Sequence, residues 1–168
     1  VRQPEHPAHA GYLRLLLASA FLASLYVHVP FCSTRCVYCD FYLTTTRRAE
    51  GPFVRAIARE AEMLGAEFRD RAPLRTIYLG GGTPSLLSPG ALAAIIGAAH
   101  DHCDTGGVVE VTVEANPEDL AGLDGRDWLR AARQLGVTRL SLGVQSFFDE
   151  DLAFLGRAHD ADQAMRGA

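Results

Sequence analysis

Short β-rich runs alternate with helix-spaced apolar residues along this 168-residue chain. Leu25-Tyr26-Val27-His28-Val29 reads as a first strand that stops at Pro30. Gly51-Pro52 then opens a stretch with apolar residues at Phe53, Ile57, Ala61 and Leu64, the spacing of one helix face, which carries the helix to Phe68. A second strand is expected over 74–79, running into Gly80-Gly81-Gly82-Thr83-Pro84. Ser88 is placed to cap a helix whose first position is Pro89 and which continues through Ala91 to Ala99. Alternation over 108–113 predicts a third strand, ending at Glu114-Ala115-Asn116-Pro117. A helix from about Asp127 to Leu135 stops at Gly136, a residue suited to the position just past a helix end. A fourth strand over 138–144 ends at Gln145, and 149–155 starts another helix.

The order β-α-β-α-β-α-β-α predicts an α/β fold with a parallel sheet and right-handed crossovers. Each polar or glycine-rich segment falls just past a strand. In a (β/α) barrel that end of the strands forms the active face, so the four segments would converge in space. Periodicity alone leaves an open doubly wound sheet as the alternative.

Composition narrows the chemistry. Hydrophobic content of 48% and charged content of 21% describe a globular chain, and its size allows one sizeable core. A net charge of −4 gives no general attraction to nucleic acid or anionic membranes. All 16 basic residues of the Lys/Arg type are arginine. Without lysine, Schiff-base chemistry and a Walker-type phosphate lysine are excluded on this segment. Residues 1–24 read as a leader. Leu15 to Leu22 has the look of a short signal-peptide core, with Ala18-Ser19-Ala20 as a weak cleavage site, and is too short to span a membrane. Export would carry the cysteines into an oxidising compartment, so a cytoplasmic location is expected.

Cys32, Cys36 and Cys39 carry the strongest chemical signal, in the spacing C-x3-C-x2-C with no fourth cysteine close by. Structural zinc usually takes four protein ligands. Three thiolates on one loop suit a cubane iron–sulfur cluster, each sulfur holding one iron and the remaining iron left open to chemistry. A reduced thiol loop, or a Cys3His zinc site completed by His28, is the alternative. Phe31, Tyr38, Phe41 and Tyr42 surround the motif and would shield a cluster, and Arg35 would favour its thiolates. The glycine run at 80–82 allows close backbone approach to a ligand or simply makes a tight turn. Glu114 is placed to accept hydrogen bonds from a ligand, or is a surface acid. Arg157 offers a planar fork to a carboxylate, or is solvated. His100-Asp101-His102-Cys103 is read as a solvated helix end rather than a metal site.

The cysteine spacing resembles that of the radical S-adenosylmethionine (SAM) enzymes. Together, Tyr-Val-His-Val-Pro-Phe-Cys, Gly-Gly-Gly-Thr-Pro-Ser, Val-Glu-Ala-Asn-Pro and Leu-Ser-Leu-Gly-Val-Gln-Ser-Phe resemble the oxygen-independent coproporphyrinogen III oxidase family over about Leu25 to Asp160. The resemblance implies a partial (β/α) barrel of about four βα units, in which Cys32, Cys36 and Cys39 ligate a 4Fe–4S cluster and SAM chelates the open iron. It implies that Tyr26 lies near the methionyl group and Tyr38 beside the adenine. Gly81, Gly82 and Thr83 would hold the aminoacyl end, and Glu114, Gln145 and Arg157 would make further SAM contacts. Electron transfer from the cluster would then split SAM into methionine and a 5′-deoxyadenosyl radical.

Two departures from the family pattern refine this. The dehydrogenase motif continues with a fourth cysteine where this chain has Phe41, which points to the heme chaperone (HemW) branch. Family members are roughly twice as long, so 25–168 is expected to be the N-terminal part of a radical SAM core, weak or inactive alone. The implied partners are heme or porphyrin, an electron donor such as a flavodoxin or ferredoxin, and heme-accepting proteins, with heme itself bound by a full-length protein. Coproporphyrinogen III dehydrogenase and a non-catalytic metal-binding module are the alternatives.

Overall fold

A computed structural model describes residues 22–46, 49–68 and 72–167. The leader expected over 1–24 lies outside them as far as residue 21. The strands are β1 (Ala23–Val29), β2 (Leu74–Gly81), β3 (Glu110–Ala115) and β4 (Arg139–Leu142), in the spatial order β1-β2-β3-β4 with each neighbouring pair parallel. Helix α1 (Glu50–Phe68) connects the first two strands and α2 (Pro89–His102) the next two. The short α3 (Pro117–Leu120) and α4 (Gly122–Gln134) lead into β4, and α5 (Asp149–Phe154) and α6 (Ala161–Gly167) follow it.

Strand order decides between the two parallel architectures. A doubly wound sheet reverses its order at a switch point. Here each strand adds beside the last, in the succession of a (β/α) barrel wall.

The two faces of the sheet agree with that choice. Val27, Val29, Ile77, Leu79, Val111 and Val113 occupy alternate positions and are all buried. They share one core with Leu92, Ile95 and Ile96 of α2 and Trp128 of α4, and Phe53 and Ile57 of α1 pack against it. Fully burying a side chain of this kind contributes roughly 1.5–3 kcal/mol, so this layer holds the helices to the sheet. The intervening positions are mostly polar. Tyr26 pairs with Tyr78, Tyr78 with Thr112, Thr112 with Arg139 and Glu114 with Ser141. Strands covered by helices on both faces would read as nearly continuous apolar runs. A helix-covered face and a polar face together suit a barrel wall.

Local chemistry sets the element ends. Ser88 Oγ accepts from the Ala91 N–H at 3.2 Å, with Pro89 at the first helical position. Its N–H and hydroxyl donate to the Glu50 carboxylate at 3.1 and 2.8 Å, tying the start of α2 to the start of α1. Helix α1 begins at Glu50, ahead of Phe53, because Pro52 falls in the first turn, where a missing N–H costs nothing. Strand β3 extends to Ala115, so Glu114 lies within it rather than after it. Helix α4 starts at Gly122 instead of Asp127, and the sequence pattern did not anticipate α6. Among the described residues no helix is long and apolar enough to cross a membrane.

Candidate functional site

The cysteine loop leaves β1 and is closed at its base by backbone bonds. The Cys32 N–H donates to the Thr44 carbonyl at 3.0 Å, and the Thr44 N–H to the Pro30 carbonyl at 2.7 Å. A further bond from the Cys39 N–H to the Cys36 carbonyl, 3.1 Å, forms the turn that brings the last two cysteines round. Phe31 anchors the base. It is buried and meets Phe53 edge-on, with ring centroids 5.3 Å apart.

Of the four aromatics around the loop, only this one is buried. Tyr38, Phe41 and Tyr42 are exposed, Tyr42 by 79%, although Tyr38 and Phe41 still line the cavity beside the cysteines. Arg35 donates to the Cys39 carbonyl at 3.5 Å and contacts no sulfur.

The glycine run at the end of β2 is pinned from two sides. The Gly82 N–H donates to the Val29 carbonyl at 2.7 Å and the Thr83 N–H to the Phe31 carbonyl at 2.6 Å, which joins this turn to the root of the cysteine loop. From β3, Glu114 accepts from the Gly81 N–H at 2.9 Å and from the Tyr78 hydroxyl at 2.7 Å. Glycine is required at both of the last two positions. Gly81 has φ +112°, and a Cβ there would meet the His28 ring at 2.5 Å. A Cβ on Gly82 would meet the Phe31 carbonyl at 2.6 Å and Cys32 Sγ at 3.0 Å.

Arg157 arrives from beyond α5. Its Nη1 donates to Cys36 Sγ at 3.3 Å and to the Tyr38 hydroxyl at 3.4 Å. Its Nη2 donates to Asn116 Oδ1 at 2.7 Å and to the Gly143 carbonyl at 2.9 Å. Its Nε is buried and makes no hydrogen bond. The Asn116 Nδ2 donates to Thr83 Oγ1 at 3.2 Å, and that hydroxyl lies 3.6 Å from Cys32 Sγ as donor.

These groups line one cavity of about 320 Å³. Its wall includes all three motif cysteines, Tyr38, Gly81, Gly82, Thr83, Glu114, Gln145 and Arg157. Glu118 also lines it and is held by buried His159, whose Nδ1 lies 2.9 Å from Glu118 Oε2 and whose Nε2 lies 3.0 Å from the Val144 carbonyl. The next residue, Gln145, takes a left-handed backbone at φ 64°, uncommon for a residue with a side chain. Tyr26 lies outside the lining. It stacks on Tyr78 at 5.9 Å and so touches the site through the partner of Glu114.

The electrostatics follow from this packing. Burial pushes the Cys32 thiol up; the Thr83 hydrogen bond lowers it, Cys39 and Cys36 raise it, and Arg157 lowers it, the net being upward. Burial also raises the Tyr38 hydroxyl, against the opposing charge of Arg157. For Arg157 burial acts downward, but the Cys36 hydrogen bond and the charges of Tyr38, Cys36 and Glu118 outweigh it. The hydrogen bond to Glu114 and then burial lead the upward shift of Tyr78.

The donor set bears on which metal group this site suits. Among the described residues no three Cys, His, Asp or Glu side chains gather as they would around a single ion. A cubane spreads its thiolates one to each iron, so three thiols around one cavity, with a glycine turn closed against Cys32, fit that group. His28 does not complete a zinc set. Its Nε2 lies 2.8 Å from the Tyr42 carbonyl and its Nδ1 lies 3.3 Å from the Tyr26 hydroxyl. Sequence reasoning passed over Tyr78, Asn116, Glu118 and His159. Strand alternation offered a signal for one of them, since Asn116 stands two residues beyond Glu114.

A barrel-wall sheet whose strand ends border a three-cysteine loop defines the structural class of this α/β protein. The radical SAM superfamily model matches residues 26–168, and the chain belongs to that superfamily. It is 38% identical over 148 residues to the heme chaperone HemW of Mycobacterium tuberculosis, covering 86% of this chain and 37% of that protein. It is 40% identical over 145 residues to the mitochondrial radical S-adenosyl methionine domain-containing protein 1 of Mus musculus, covering 86% of this chain and 32% of that one. The chain thus spans about a third of the length of these relatives. The solved structure of the radical SAM enzyme coproporphyrinogen III oxidase (HemN) from Escherichia coli superposes with a TM-score of 0.73 and 27% identity, covering 92% of this chain and 36% of that one. Members of the superfamily in general use a 4Fe–4S cluster and SAM.

Proposed function

We propose that Cys32, Cys36 and Cys39 ligate a 4Fe–4S cluster whose open iron takes SAM, within a protein that acts as a heme chaperone in heme trafficking. The observation that carries the cluster reading is the convergence of three thiols, the glycine turn, Glu114, Gln145 and Arg157 on one cavity. In this reading Gly81, Gly82 and Thr83 bind the aminoacyl end of SAM through backbone and hydroxyl groups, and Arg157 adds a further SAM contact from the cavity wall. Glu114 and Gln145 make further contacts, Tyr38 flanks the adenine, and Tyr26 supports the site through Tyr78. When bound, the cluster supplies the electron for reductive cleavage of SAM. This chain's residues hold and orient SAM.

The heme-trafficking role rests on 38% identity to a heme chaperone and on Phe41, which stands where the dehydrogenase pattern has a cysteine. The structural likeness to HemN supports coproporphyrinogen III dehydrogenase as a second reading. Heme or porphyrin, a flavodoxin- or ferredoxin-like electron donor and heme-accepting proteins are the partners this function needs. A reducing compartment such as the cytoplasm suits the thiols.

Anaerobic iron–sulfur reconstitution tests the cluster assignment, with electron paramagnetic resonance of the reduced protein recorded with and without SAM. The expected result is a cubane signal that shifts with SAM and is lost in Cys36→Ala. One bound zinc without labile sulfide, or a cluster blind to SAM, would sink the reading. Heme titration followed by absorbance, with and without coproporphyrinogen III as alternative substrate, separates chaperone from dehydrogenase.

A further inference from the structure

A continuous hydrogen-bonded chain joins two of the motif sulfurs across the cavity. It runs from Cys36 Sγ to Arg157, from Arg157 to Asn116, from Asn116 to Thr83 and from Thr83 to Cys32 Sγ. Its members come from the cysteine loop, the end of β2, the end of β3 and the segment after α5, with Cys36 and Arg157 separated by 121 positions. Asn116 is the middle link, and none of the roles assigned above uses it.

Its chemistry matches that position. A carboxamide has one acceptor and two donors; here Oδ1 faces a guanidinium that can only donate and Nδ2 faces a hydroxyl oxygen that accepts. Turning the amide over would set N–H against N–H, so the neighbours fix its orientation. An aspartate would keep the Arg157 contact and lose the donor to Thr83.

Two observations mark the arrangement as more than incidental. Asn116 occupies the N-cap position of α3, where its residue type normally caps the helix, yet its side chain makes no cap bond. It is turned into the cavity instead. Gly143 leaves the space for it, since a Cβ there would lie 2.7 Å from Asn116 Oδ1.

We propose that Asn116 is a positioning residue for the cluster, holding the Arg157 fork on Cys36 Sγ and the Thr83 hydroxyl on Cys32 Sγ and thereby setting the reduction potential. Hydrogen bonds to ligand sulfurs stabilise the added negative charge of the reduced state, which moves the potential upward. Thr83 and Arg157 are thus both SAM contacts and sulfur donors, coupled through one amide. The inference rests on the reading of the three cysteines as cluster ligands.

The test is a potentiometric titration of the reconstituted protein, followed by electron paramagnetic resonance, for wild type, Asn116→Ala, Thr83→Val and the double variant. Asn116→Ala is expected to lower the ratio of reduced to oxidised cluster at a fixed potential about tenfold, which is about 59 mV for one electron. Thr83→Val moves it in the same direction, and the double variant falls short of the sum because both changes break one chain. Reduced-to-oxidised ratios within threefold of wild type at the same fixed potential in both variants, or strictly additive shifts, overturn the proposal. If Asn116→Ala takes up no iron, Thr83→Val decides by the same titration. Urea midpoints of the apo-proteins measure the purely structural cost separately. A wild-type protein without a SAM-responsive cluster would instead remove the cluster reading itself.

Discussion

Replacing Glu114 by alanine separates a carboxylate that holds the site together from one that only awaits a ligand. In the structure it accepts from the Tyr78 hydroxyl at 2.7 Å and from the Gly81 N–H at 2.9 Å. Hydrogen bonds to a charged group contribute about 1.5–3 kcal/mol each, and both donors here are partly reachable by water, which favours the lower end. The sum is about 3 kcal/mol. For a chain of this size roughly 2–4 °C is lost per kcal/mol, so Tm should fall by roughly 6–12 °C. Equilibrium urea unfolding of the apo-protein, followed by fluorescence of Trp128, the one tryptophan, measures this without any cofactor. Tyr78→Phe should cost about half as much, and Glu114→Ala in that background should cost only the remaining Gly81 bond. A Glu114→Ala midpoint within about 0.5 kcal/mol of the parent, the range of an inert surface change, would refute the reasoning.

Gly81→Ala forces a side chain into a left-handed backbone at φ +112° and against the His28 ring; a loss of about 3 kcal/mol is expected in the same urea assay, and an unchanged midpoint would mean that the turn relaxes. Trp128→Phe removes the N–H that donates to the Leu87 carbonyl at 2.9 Å, and circular dichroism melts should show a loss of about 1–3 kcal/mol; a neutral change would show that the carbonyl finds water. Ser88→Ala deletes the α2 cap and its hydroxyl link to Glu50, which should cost about 1–2 kcal/mol by urea titration, with no change if the Glu50 bond is solvated away. Phe147, Phe148 and Phe154 lie exposed beyond β4, so sedimentation velocity should show association rising with concentration, and a monomer at every concentration would contradict this.

Much of the fold was legible in order along the chain. Four β-rich runs separated by helical spacing required parallel strands, because connections of that length carry a helix across the sheet. The cap at Ser88 and the helix end at Gly136 were readable because capping depends on residues next to each other in sequence. Boundaries were less so. Glu114 fell inside β3, and α4 began well ahead of Asp127, because pairing with β4 and packing on α2 extend elements past their local preferences. Of the aromatics around the cysteine loop, only Phe31 is buried. Hydrophobicity marked Phe31 and Tyr42 alike, but only contact with α1 buries the first and leaves the second in solvent.

By itself the sequence determined the order of the four strands and the main helices between them, the three-cysteine loop, and the positions of Gly81, Gly82, Thr83, Glu114 and Gln145 at or near strand ends. These are local properties, written in spacing and residue type. Tertiary structure alone decided between barrel wall and doubly wound sheet, since that depends on which strands become neighbours. It also decided what each polar side chain meets. Arg157 reaches Cys36 across 121 positions, Arg35 turns to a backbone carbonyl four residues away, and Asn116 leaves its helix to join the two sulfurs. Such pairings depend on the register of parallel strands, and register is fixed only when the apolar face of the sheet closes against its helices.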